Sequence, residues 1–158
     1  MAININLEQL EQEDMQFDGK LPAAELDLQL GGDILVHSAD TLNYQLDATS
    51  AGDTLLVRGV LTIDFACDCA RCLEPFTYTL ELPDWTCVLP LNGSDAVEPK
   101  GEYLDLTPWV REDILLGFPR HPLCAPDCSG LAAKEDGGAH KAGPDPSPWA
   151  RLDDWKDE

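Results

Sequence analysis

The sequence is short of positive charge, with 10 Lys and Arg against 30 Asp and Glu in 158 residues, a formal net charge of -20. Affinity for nucleic acid rests on Lys and Arg that displace counterions from phosphates, and no basic run is present to do this. Tight direct binding to RNA and attachment to an anionic membrane are both disfavoured, whereas a basic protein partner would be steered towards such a surface. Long apolar runs are missing too, and none reaches the length that spans a bilayer. The first residues, Met1 to Glu8, lack a basic segment followed by an apolar stretch, which points to a soluble, cytoplasmic protein.

Catalytic signatures are equally scarce. There is no glycine-rich phosphate loop and no G-x-S-x-G nucleophile turn. The three histidines, His37, His121 and His140, fall into no ligand or triad spacing, although His121 lies close enough to a cysteine cluster to reach a metal there. Acidic residues are too numerous for one pair to stand out as general acid and base. These absences leave an enzymatic role open but without support.

What is present is a core's worth of apolar residues, 44% of the chain, arranged with a period of two. Ile3, Ile5 and Leu7 alternate with polar residues, as do Leu26, Leu28 and Leu30 ahead of the turn Gly31-Gly32-Asp33. Further strands are expected over Ile34 to Val36, Leu42 to Leu46, Leu55 to Phe65 and from Phe76 through Leu82, with a hairpin break at Ser50-Ala51-Gly52-Asp53. The Glu- and Gln-rich stretch Leu7 to Met15 has too few apolar positions to assign. Leu104 to Leu116 reads as a helix with Thr107 as its N-cap and Pro108 in the first turn, ended by Gly117 and Pro119. The expected fold is α+β: an antiparallel sheet, curling towards a barrel, covered by a helix, with a flexible acidic C-terminal segment.

Residues 1–131 form one domain on this reading. From Ala132 to Pro148 the composition turns to Ala, Gly, Pro, Lys and Asp without periodicity, as in a linker or disordered segment. Residues 149–158 place Trp149, Leu152 and Trp155 at helix-like spacing, a short terminal helix that docks or binds a partner.

Five of the six cysteines stand in two clusters, Cys67-Asp68-Cys69-Ala70-Arg71-Cys72 and Cys124-Ala125-Pro126-Asp127-Cys128. In a reducing compartment such clusters point to metal or thiol chemistry rather than disulfide bracing. Cys69 and Cys72 with Cys124 and Cys128 supply four thiolates for a tetrahedral zinc, and Arg71 is placed to offset their charge by hydrogen bonding to sulfur. The rival is a redox dithiol of Cys69 and Cys72 with Cys67 nearby, but Asp68 and Glu74 oppose Arg71 in lowering a thiol pKa. Cys87, in a strand-like run, is expected to be a small core residue.

Three stretches taken together resemble a known family. They are Cys69-Ala70-Arg71-Cys72-Leu73-Glu74-Pro75-Phe76, then Tyr103-Leu104-Asp105-Leu106 leading to Leu115-Leu116-Gly117-Phe118-Pro119, then Pro122-Leu123-Cys124-Ala125-Pro126-Asp127-Cys128-Ser129-Gly130-Leu131. Their order and spacing are similar to those of YceD, the bacterial large ribosomal RNA subunit accumulation family, over residues 3–158 with a core at 55–131. Many members continue with a further C-x2-C-G where this chain has Ala132-Ala133-Lys134-Glu135, which leaves four candidate ligands. The resemblance implies a ribosome biogenesis factor supporting synthesis, processing or stability of large-subunit (23S) ribosomal RNA, with no established catalytic activity. Combined with the charge, it implies action through a basic ribosomal protein or an rRNA-processing factor. A zinc-dependent RNA-processing enzyme and a thiol oxidoreductase are the alternatives.

Overall fold

A computed structural model describes residues 2–131; the linker expected over 132–148 and the helix expected over 149–158 lie outside the described residues. The chain runs β1 (Asn4–Asn6), α1 (Leu7–Leu10), β2 (Met15–Leu21), α2 (Ala23–Leu26), a 3-10 turn (Leu30–Gly32), β3 (Val36–Ala39), β4 (Leu42–Ala51), β5 (Thr54–Asp68), β6 (Pro75–Pro90), β7 (Tyr103–Asp105) and α3 (Thr107–Gly117). The architecture is α+β and every strand pairing is antiparallel.

The central strand is β5, whose alternation of Leu55, Val57, Leu61, Ile63, Phe65 and Cys67 with more exposed residues buries one face. Along one edge it pairs with β6, from Thr54 opposite Pro90 to Asp68 opposite Pro75. Along the other edge β4 pairs with its first half and β3 with its second, and β2 then adds to β4. The sheet stays open, because β2 and β6 lie at opposite ends of the strand order and are not paired to each other. The β4–β5 hairpin turns on Gly52 and Asp53, with Gly52 at φ 62° in the first central position, a conformation that suits glycine. Inside the sheet, Gly59 is required for a different reason. A Cβ there would collide with the Gln45 carbonyl oxygen and lie 2.9 Å from the carbonyl carbon and from Leu46 Cα.

The helix α3 covers the buried face beside β6, with Val110 and Ile114 inward. Asp113 Oδ2 accepts from Trp85 Nε1 at 2.6 Å, and the Phe118 ring meets Phe65 edge to face at 5.3 Å between centroids. Cys87 is buried on β6, as its flanks suggested. No helix among the described residues is long and apolar enough to cross a membrane.

Four local expectations need correction, the first being the strand over Ile34 to Val36: Ile34 and Leu35 bend ahead of β3, which begins at Val36. Leu26 to Leu30 is not a strand: Leu26 closes α2, and Asp27 and Gln29 sit at φ 46° and 53°, a left-handed backbone that breaks the pleat. Arg111 holds that turn from α3, donating from Nε at 3.0 Å and Nη2 at 2.9 Å to the Asp27 carbonyl. The burial of Leu26 and Leu28 produced the alternation without a strand. Leu104 and Asp105 are not helical but form β7 against β1, Leu104 opposite Ile5. Thr107 is not the N-cap, because its hydroxyl accepts from Ile3 N at 3.0 Å and Leu106 takes the cap position. The unassigned stretch from Leu7 splits into α1 and the start of β2, where Phe17 and Leu21 face inward among charged neighbours.

Gly59→Ala is expected to destabilise the protein by at least about 2 kcal/mol, because backbone rather than a side chain must move. Gly31→Ala, with nothing within 4 Å, is expected to stay within about 0.5 kcal/mol of the parent. Urea unfolding midpoints check the pair, and equal midpoints would contradict the close approach of β4 to β5.

Candidate metal centre

The first cysteine pair sits where β5 has run out and β6 has not begun. Residues 69–74 form the connecting loop, in which Cys69 N donates to the Glu74 carbonyl and Leu73 N to the Cys69 carbonyl, each at 2.9 Å. The residue after the second cysteine turns through the left-handed region, and Leu73 takes it at φ 61°. A side chain there costs roughly 1–2 kcal/mol that glycine would not. Leu73 is 57% exposed, so its own burial does little to offset that cost.

The second pair follows α3, and the two segments are tied by hydrogen bonds rather than by a shared element. Ala70 N donates to the Pro122 carbonyl at 2.8 Å, Arg71 Nη1 donates to the Cys128 carbonyl at 3.0 Å, and Cys128 N closes its own turn onto the Ala125 carbonyl at 3.1 Å. Gly130, at φ 83°, then redirects the chain.

These ties bring four sulfur atoms together from positions 52 and 59 residues apart. Cys69 Sγ is 3.7 Å from Cys128 Sγ, Cys72 Sγ is 3.8 Å from Cys124 Sγ, and all four lie within 4.8 Å of one another. Thiolates about 2.3 Å from a tetrahedral metal are separated by roughly 3.8 Å, so the cluster is of a size that could hold one ion. Cys69 is buried, Cys72 and Cys128 are half-buried and Cys124 is exposed, which opens the cluster to solvent on one side.

The electrostatics of the thiols follow from this crowding. The peptide N–H groups of Cys124, Cys72 and Arg71 point at Cys69 Sγ and hold that thiol down at about 6, the Arg71 N–H at 3.5 Å. Cys124 is pushed up to about 12 because its proton is shared with Cys69, Cys128 and Cys72. The Glu74 N–H pulls Cys72 down, yet burial and the thiols of Cys69 and Cys128 leave it raised. Cys69 therefore ionises readily while Cys72 and Cys124 resist, unless a cation takes the place of the protons.

Of the other named residues, Arg71 borders this cluster, while Cys67, His121 and His37 are not part of it. The Arg71 guanidinium reaches a carbonyl and not a sulfur, since backbone N–H groups already serve Cys69; its contribution is to clamp the second segment to the first. Cys67 points into the core on the inward face of β5, where burial raises its thiol pKa. His121 is not among the residues brought within reach of the four sulfurs. His37, with no partner evident in sequence, has Nε2 2.8 Å from Asp68 Oδ2. The left-handed Leu73 had no signal, because leucine is not a residue type that marks such a turn.

Cysteine ligands must lose their protons to bind a metal, so at least two protons, those of Cys72 and Cys124, are expected to leave with each ion bound near neutral pH. Apparent affinity for a thiophilic ion such as cadmium should then fall about 100-fold or more for each pH unit lowered. Titrations in thiolate charge-transfer absorbance check this, and a slope of one proton or fewer would contradict the four-thiol cluster.

A model of the family described as "Large ribosomal RNA subunit accumulation protein YceD" matches residues 57–156. Uncharacterized proteins of Mycobacterium bovis and of two strains of Mycobacterium tuberculosis are 28% identical over 134 residues, taking in 75% of this chain. The match spans 64% of the length of these relatives. No solved structure matches the chain.

Proposed function

The chain belongs to the YceD family, and from that premise we propose that it supports accumulation of large-subunit (23S) ribosomal RNA as a non-catalytic factor, acting through protein contacts. The family match carries this reading, because it contains both cysteine segments and the helix between them. The net charge of -20 favours a protein partner over bare RNA: phosphates would be repelled where a basic ribosomal protein or processing factor would be drawn in.

In the same proposal Cys69, Cys72, Cys124 and Cys128 hold a structural zinc. Four thiolates in tetrahedral reach suit zinc, and four protein ligands leave no open position for a water or substrate, as a catalytic zinc requires. A bound zinc would supply the positive charge that lets all four sulfurs ionise. The residues themselves would tie the β5–β6 loop to the segment after α3, a link otherwise resting on a few hydrogen bonds.

The depressed pKa of Cys69, about 6, favours thiol oxidoreduction as a second reading, and metal content separates the two. Protein purified without added metal is expected to carry about one zinc per chain, with the cluster thiols unreactive to Ellman's reagent until a chelator is added. Four freely reactive thiols in metal-free protein would favour redox chemistry instead.

Cells lacking this protein are expected to show a selective fall in the ratio of large- to small-subunit ribosomal RNA. The intact chain should restore the ratio and Cys69→Ser/Cys124→Ser should not. An unchanged ratio in the deletion would overturn the ribosomal reading.

A further inference from the structure

Between β6 and α3 the surface opens into a groove of about 530 Å³, distinct from the cysteine cluster. Its lining includes Leu82, Pro83, Asp84, Trp85, Asp113 and Leu116. Gly59 and Leu61 of β5 oppose Trp85 and Leu82 of β6, so β6 carries an extra residue between them and bulges at Pro83 and Asp84. The bulge pushes those two residues outward while Trp85 remains in the core wall, only 5% exposed. Across the groove Leu116, on the outer side of α3, is 83% exposed. An apolar side chain this open, beside an indole and a proline, makes an apolar groove and not an isolated surface leucine.

The charge around this groove has one sign. Asp84 and Asp113 contribute carboxylates, and among the described residues no Lys or Arg lines it. Asp113 spends Oδ2 on the Trp85 indole at 2.6 Å, which fixes the ring, and among the described residues no hydrogen bond occupies Oδ1, so it can accept from an incoming donor. Phosphate, whether of RNA or of lipid, is repelled by such a lining. A segment offering an aliphatic or aromatic side chain together with Lys or Arg satisfies both the apolar floor and the carboxylates.

We propose that this groove, floored by Trp85, edged by Leu116 and flanked by Asp84 and Asp113, is the docking site for a basic protein segment that inserts an apolar side chain. The proposal rests on the ribosomal role only for the source of that segment, a basic protein of the large subunit; the surface chemistry stands apart from it. Docking here, midway along the β5–β6 hairpin, leaves the cysteine loop beyond Asp68 and Pro75 to hold the fold.

The test uses the full chain, immobilised and exposed to the basic proteins extracted from purified large ribosomal subunits, with retained proteins identified by mass spectrometry. Leu116→Arg/Asp84→Lys alters two exposed positions and is expected to keep the parent's thermal melt while retaining at least tenfold less of the same proteins. Equal retention by parent and double variant would overturn the proposal. So would a gain in retention on Trp149→Ser/Trp155→Ser that adding Leu116→Arg/Asp84→Lys does not diminish, which would put the basic proteins elsewhere on the chain. In cells, the double variant should fail to restore the ribosomal RNA ratio. A normal ratio in cells lacking the protein would strike the ribosomal role alone, while retention that depends on Leu116 and Asp84 would still uphold the groove.

Discussion

The antiparallel register between β5 and β6, held from Thr54 opposite Pro90 to Asp68 opposite Pro75, is the constraint on which the rest of the structure depends. It presents Leu55, Val57, Ile63, Phe65 and Cys67 on one face to the helix and the short strands that cover it. It also sets the position of the loop at its far end, since a hairpin loop can go only where its two strands deliver it. A slip of one residue would turn the buried row outward and re-aim Cys69 and Cys72 together. Core and cysteine cluster thus share one determinant.

At that far end, local strain and long-range closure oppose each other. Leu73 holds a left-handed backbone at a cost of about 1–2 kcal/mol, and four thiols crowd into a space where Cys69 ionises readily but Cys72 and Cys124 do not. The hydrogen bonds from Ala70 and Arg71 to the second segment offset part of this, each contributing on the order of 1 kcal/mol. Binding of a metal to four thiolates, at roughly 10 kcal/mol or more for structural zinc, outweighs the strain by a wide margin. On the proposed reading the ion is therefore the dominant fastening between the hairpin and the segment after α3, and the arrangement tolerates a leucine where glycine would be easier.

Legibility from sequence varied with how local the cause was. The strands β4, β5 and β6 were readable because each repeats its inward side chain over many residues, and the Gly52 turn marks its own hairpin. Leu26 to Leu30 misled because burial at every second residue mimics a strand while Asp27 and Gln29 bend the backbone out of it. Tyr103 to Asp105 lay beyond local reading: its strand character comes from β1, about a hundred positions away in the chain. Thr107 has the side chain of a cap, yet the Ile3 N–H claims its hydroxyl.

By itself, the sequence determined the class of fold, the acidity that disfavours phosphate partners and the two cysteine segments with their spacings, because composition, period and motif are properties of neighbouring residues. The tertiary structure alone decided that the four sulfurs meet within 4.8 Å, that Cys67 turns away into the core, and that the Arg71 guanidinium clamps a carbonyl instead of a sulfur. It alone opened the groove beside Trp85, by joining a bulge on β6 to the outer side of α3. The physical reason is the same in each case. These features depend on which segments are brought together after the chain has folded, and that closure is set by sheet register and packing, not by any one stretch of sequence.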